Sequence, residues 1–107
     1  MTIDLKNIIG SSNAITHSAG DLLYNELTSK KSDSIIIDFN NIILVSSAFL
    51  NASIGKLSIK YPDFLRKITF NIPEDKQIIQ KKIDKVIENA SMGDFYDGLV
   101  DDASKSE

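Results

Sequence analysis

Ser34-Ile-Ile-Ile-Asp-Phe-Asn-Asn-Ile-Ile-Leu-Val-Ser-Ser-Ala-Phe-Leu-Asn-Ala-Ser-Ile-Gly-Lys-Leu57 is the stretch that decides the fold. Ile35, Ile36 and Ile37 form a β-branched run after a polar lead-in, the pattern of a strand covered on both faces, as in parallel sheets. Asn40-Asn41 marks a turn, Ile42 to Val45 is a second apolar run, and Ser46-Ser47 supplies oxygens suited to capping a helix. Leu50, Ile54, Leu57 and Tyr61 then recur at the spacing of one helical stripe. A buried strand therefore feeds a loop that opens a helix, and loops held by a rigid scaffold are where function concentrates.

Upstream, Ile3 and Leu5 alternate with Asp4 and Lys6 ahead of Ile8-Ile9-Gly10, which predicts a strand with one wet face ending in a turn. Ser11-Ser12-Asn13 reads as a loop. Ile15, Ala19, Leu22, Leu23 and Leu27 then mark the buried side of a helix to about Thr28, weakened at Gly20 by about 1 kcal/mol relative to Ala. Downstream, Tyr61-Pro62 stops the central helix, and Ile68, Phe70 and Ile72 alternate with polar neighbours as a half-buried strand. Pro73 is expected in the first turn of a last helix, with Glu74 and Asp75 at its positive end and Ile79, Ile83, Val86, Ile87 and Ala90 as its apolar stripe.

The order β-α-β-α-β-α predicts an α/β domain with right-handed crossovers, a small, largely parallel sheet of about four strands, and helices packed on it. Residues 1–90 form one domain by length, and 91–107 an acidic C-terminal segment. That segment carries Phe95-Tyr96 and Leu99-Val100, which either dock on the chain's own core before the end frays or serve as an adhesive tail for a partner.

Among the 107 residues, 42% are hydrophobic and 25% charged, an ordinary globular composition. A net charge of −3 supplies no general field for nucleic acid or an anionic membrane, so neither is expected as a partner. Without cysteine and with a single histidine, thiolate catalysis and cysteine or multi-histidine metal sites are excluded, and no cofactor is implied. Met1–Gly10 lacks the basic and long apolar regions of a signal peptide, which leaves a cytoplasmic protein as the expectation.

Phosphate-loop, dinucleotide, nucleophile-elbow and zinc-protease motifs are missing. His17 lies four residues before Asp21 on one helix face, but nothing in the sequence aims it at Ser46 or Ser47, so no catalytic residue is assigned. Ser46-Ser47-Ala48 is the better candidate, because a helix start after a strand presents free amide hydrogens and a positive dipole end. Capping alone would also explain the serines.

Asp38-Phe-Asn-Asn-Ile-Ile-Leu-Val-Ser-Ser-Ala-Phe-Leu50 resembles the signature of STAS domains, the anti-sigma-factor-antagonist fold, written Asp-Leu-x-x-Val-x-Phe-Ile-Asp-Ser-Ser-Gly-Leu. The chain is still more similar to bacterial STAS-like domains of unknown function. Their Ser-Arg-Ser-x-Ala-x-x-Leu, Asp-Phe-x-x-Val, Ala-Phe-Ala-Asp-Glu and Asn-Ala-Asn motifs correspond to Thr16–Leu23, Asp38–Ile42, Ala48–Ala52 and Asn71–Pro73. Order and spacing agree from about Ile9 to Ile87. In phosphorylation-switched antagonists the acceptor hydroxyl aligns with Ala48, which has none, and the leading Asp with Ser46; Ser47, next door, is the candidate substitute, though one position on a helix start turns its side chain by about 100°. The family's Asp-Glu pair falls on Asn51-Ala52 and its Arg on His17.

The resemblance implies a regulatory protein–protein interaction module that is not an enzyme. Its partner would be a histidine-kinase-like ATPase or an anti-sigma factor, bound through the Val45–Leu50 loop and the helix after it. Ser46, Ser47, Ala48, Phe49 and Asn51 are the expected contact residues. The alternative is a domain that binds a phosphate or nucleotide at the same helix start, which is disfavoured by the lack of a basic side chain in the loop, Lys56 being two turns on. A homodimer through the N-terminal strand edge or the Phe95-Tyr96 tail is left open.

Overall fold

The computed structural model describes residues 1–31 and 34–91; the acidic segment from Met92, with its two apolar pairs, lies outside the described residues. Five short strands are found among them: β1 Thr2–Asp4, β2 Asn13–Ala14, β3 Ile35–Asp38, β4 Leu44–Val45 and β5 Ile68–Asn71. The α-helices are α1 Leu5–Ile9, α2 His17–Thr28, α3 Ser47–Leu50, α4 Lys56–Lys60, α5 Pro62–Leu65 and α6 Gln77–Ser91. All strand pairs are parallel, β1-β3-β5 in one sheet and β2-β4 in another, so one sheet of about four strands becomes three strands plus a separate pair. A mixed α/β architecture with parallel pairing agrees with the sequence, while two-residue strands are too short to leave a periodic signature.

In the larger sheet Thr2, Ile36 and Thr69 lie side by side in register, as do Ile3, Ile37 and Phe70. The second row, with Ile35 and Ile68, faces the core, and Phe39 meets Phe70 edge to face at 6.4 Å. The first row faces outward, and Ile36 is 39% exposed. The Ile35–Ile37 run is therefore not covered on both faces as expected: alternation prevails because, among the described residues, only one side of the sheet is packed.

The first strand is also shorter than its alternation implies. The Asp4 carboxylate accepts the Lys6 amide hydrogen at 3.1 Å and opens α1, whose buried residue is Leu5 and whose end turns at Gly10 with φ of +71°. In α2, capped by Thr16 on the Ala19 amide at 3.0 Å, the buried side is Gly20, Leu23, Tyr24 and Leu27. Leu22 and Ile15, expected inside, are exposed. A Cβ on Gly20 would lie 2.5 Å from the Phe49 carbonyl oxygen and 2.6 Å from the Ala52 Cβ, so glycine lets α2 meet the central helix backbone to backbone.

That central helix runs without a break from Ser47 to Lys60, with a π-helical turn over Asn51–Gly55 between α3 and α4. Leu50, Ile54 and Leu57 are wholly buried, as their spacing predicts. Ser53 is buried too, and its hydroxyl donates to the Phe49 carbonyl at 2.8 Å, satisfying a polar group inside the core. Pro62 then opens the short α5, which the sequence reading did not distinguish. Pro73 precedes a 3₁₀ turn over Glu74–Lys76, and α6 starts at Gln77, later than expected, burying Ile79, Ile83, Val86 and Ala90. No described helix is long and apolar enough to cross a membrane.

Candidate functional site

β2 and β4 each lead into a helix, and their parallel pairing sets the starts of α2 and α3 beside one another. The Ser46 amide donates to the Ala14 carbonyl at 3.0 Å, extending the pairing by one step. The Ser46 hydroxyl accepts the Phe49 amide hydrogen at 3.1 Å and donates to the Ile15 carbonyl at 2.7 Å. One side chain thus caps α3 and ties it to the entry of α2. Its hydroxyl is committed on both sides, donating one bond and accepting the other.

Of the other expected contact residues, Ser47 and Ala48 are exposed in the first turn, and Asn51 is half-buried. Phe49 does not belong with them. It is fully buried, a core anchor for the helix start, because the residue two places after Ser47 turns inward on a helix whose outer face is Ser47-Ala48.

Three large apolar residues stand exposed at this rim, Ile15 among them although its spacing predicts the buried side of a helix. Ile15 is 44%, Ile43 61% and Leu44 57% exposed. Leu44 pairs in register with exposed Asn13, and two residues past Asn13 comes Ile15. Only Ile42 and Val45 of the Ile42–Val45 run are buried. The signal that could have found the outward pair was the Asn40-Asn41 turn: Ile42 donates its amide to the Phe39 carbonyl at 3.0 Å, so the run begins inside a turn and cannot be one continuous buried strand.

Two cations were likewise invisible in the local sequence. The Lys76 ammonium donates to the Ile42 carbonyl at 2.9 Å and the Lys82 ammonium to the Val45 carbonyl at 2.8 Å, both partly buried. They come from the far end of the chain and hold the loop that the sequence shows as lacking basic residues. Lys56 turns elsewhere, its ammonium 4.5 Å from the centre of the Tyr24 ring. His17 and Asp21 do approach, Nδ1 to Oδ2 at 3.4 Å, but on an open surface with His17 73% exposed. With the Ser46 hydroxyl turned to Ile15, no hydroxyl–imidazole pairing is built there. Among the described residues no group of three or more histidine, aspartate or glutamate side chains is placed to hold a metal.

Parallel strands that feed adjacent helix starts, with a serine cap after an Asp-Phe-x-x-Ile strand end, define a small α/β domain of the STAS-like type. The family model described as a STAS-like domain of unknown function (DUF4325) matches residues 19–85, and the chain belongs to that family. No curated protein and no solved structure matches it.

Proposed function

We propose that this chain is a small, non-catalytic regulatory module of the bacterial cytoplasm that holds a protein partner at the rim where α2 and α3 begin. The observation that carries this reading is the exposure of Ile15, Ile43 and Leu44 beside the small, exposed residues Ser47 and Ala48. Large apolar side chains grouped on a monomer's surface are the usual mark of an interaction site. Small residues at the adjoining helix start let a partner's backbone come close. The partner class, a histidine-kinase-like ATPase or an anti-sigma factor, is inferred from the family's likeness to STAS antagonists.

Ser47 is the one hydroxyl of the Ser46-Ser47-Ala48 start that is exposed and has no bond among the described residues, so it is the residue a kinase could reach. A phosphate there would suit the helix dipole but would disrupt a desolvated contact. With alanine at position 48, where switched antagonists carry their acceptor, constitutive binding is favoured over a switch.

Affinity capture from the native organism with wild type and Ser47→Asp side by side tests this. Capture of a histidine-kinase-like ATPase by wild type and its loss with Ser47→Asp is the expected result. Equal capture by both would move the interface elsewhere. If neither captures protein while a nucleotide raises the Tm of the wild type, the ligand-binding alternative replaces the module.

A further inference from the structure

At the opposite end of the central helix an open cleft of about 310 Å³ is lined by Lys31, Lys60 and Lys67 over a floor of Tyr61, Pro62 and Phe64. Lys31 lies 4.0 Å above the centre of the Tyr61 ring. Lys60 and Lys67 have no ion-pair partner among the described residues, and the acid on the cleft wall, Asp63, is already paired with Arg66. Three ammonium groups around an aromatic and proline floor fit an acidic peptide carrying aromatic side chains better than a bare anion, which would leave the floor unused.

The chain contains such a peptide. Asp94-Phe95-Tyr96-Asp97-Gly98-Leu99-Val100-Asp101-Asp102 alternates acids with apolar pairs, and no cation follows before Lys105. It also leaves the fold at the matching end. Lys82 of α6 touches Val45, just before the central helix begins, and α6 then packs along α3, the π turn and α4. From Lys82 to Ser91 the helix advances about 13 Å, while Val45 to Lys60 spans about 22 Å. Extended chain covers the difference of about 9 Å in roughly three residues, which is where Asp94 stands, and the nine residues from Asp94 to Asp102 reach up to about 30 Å across the end of the molecule.

We infer that the lysine-lined cleft is the docking site of the chain's own Asp94–Asp102 segment, with Phe95 and Tyr96 on the Tyr61–Pro62–Phe64 floor and the aspartates against Lys60 and Lys67. The tether makes the contact intramolecular, at millimolar effective concentration, so modest contacts suffice. The site is distinct from the rim where the partner is placed and does not rest on it.

Carbodiimide coupling of the full-length chain at low ionic strength, followed by peptide mapping, tests the contact. The expected product links Lys60 or Lys67 to Asp94, Asp97 or Asp101 within one molecule. In parallel, amides of residues 94–100 should exchange about tenfold slower in wild type than in Lys60→Glu/Lys67→Glu, as a ten-to-one docked population requires. Slow exchange should return when Asp94→Lys/Asp97→Lys is added to that variant. Links found only between two copies would make a second molecule the occupant and overturn the proposal, as would equal exchange in both proteins or failure of the reversed charges to restore protection.

Discussion

The central helix carries small residues on two sides, and they are small for different reasons. On its packed flank, Ala52 and the Phe49 carbonyl lie where a side chain at Gly20 would have to go, and Ser53 is small, buried and bonded inward. At its start, Ser47 and Ala48 are equally small but exposed. On the flank the fold dictates smallness through close approach. At the start nothing among the described residues requires it, which is what the proposed partner contact would use.

Substitutions can break that contrast or sharpen it. Phe49 is the sharpest test, because it sits between the two sides and was first read as a contact residue. Phe49→Ala should cost about 3–5 kcal/mol in urea unfolding, the loss typical of an emptied aromatic core site. A loss below about 1 kcal/mol, with partner capture abolished, would return it to the interface. Gly20→Ala should lower stability by about 1–3 kcal/mol, even though alanine is the better helix former by about 1 kcal/mol, because its Cβ meets the Phe49 carbonyl. If thermal unfolding showed Gly20→Ala to be neutral or stabilising, the flank would not be as close as described.

Ser46→Ala removes the cap on the Phe49 amide and leaves the Ile15 carbonyl without its donor. A loss of about 1–2 kcal/mol is expected, read from a shift of the denaturation midpoint at unchanged slope. Smallest of all, Ala48→Arg should change stability by no more than about 0.5 kcal/mol while capture of the partner falls. A large destabilisation there would erase the distinction between flank and start.

The sequence made the order of the main elements readable, because long stripes such as Leu50-Ile54-Leu57 and Ile79-Ile83-Val86 repeat often enough to identify a helix and its buried side. Ser46 was legible as helix-capping chemistry for the same local reason, whereas the cap of α2 is Thr16, which the sequence did not single out for that role. What escaped was short or non-local. The β2–β4 pair and α1 are too brief for periodicity, so Ile15 is expected inward when it faces out, and the Ile42–Val45 run gives no sign that Ile43 and Leu44 face out. Gly20 registered only as a propensity penalty, since the helix it accommodates lies about thirty residues on. Lys76 and Lys82 reach the loop from more than thirty residues away, a distance that no local pattern encodes.

The π turn at Asn51–Gly55 has a consequence for insertions and deletions. Its i→i+5 bonding holds one residue more than an ordinary turn, so a single residue removed there would leave an ordinary helix whose two ends face much as they do now. Leu57 would stay in the core and Lys60 beside Lys31 and Lys67. A homologous helix one residue shorter here would therefore match this one at both ends, with the alignment gap inside the turn, whereas the same deletion in an ordinary turn would rotate everything beyond it by about 100°.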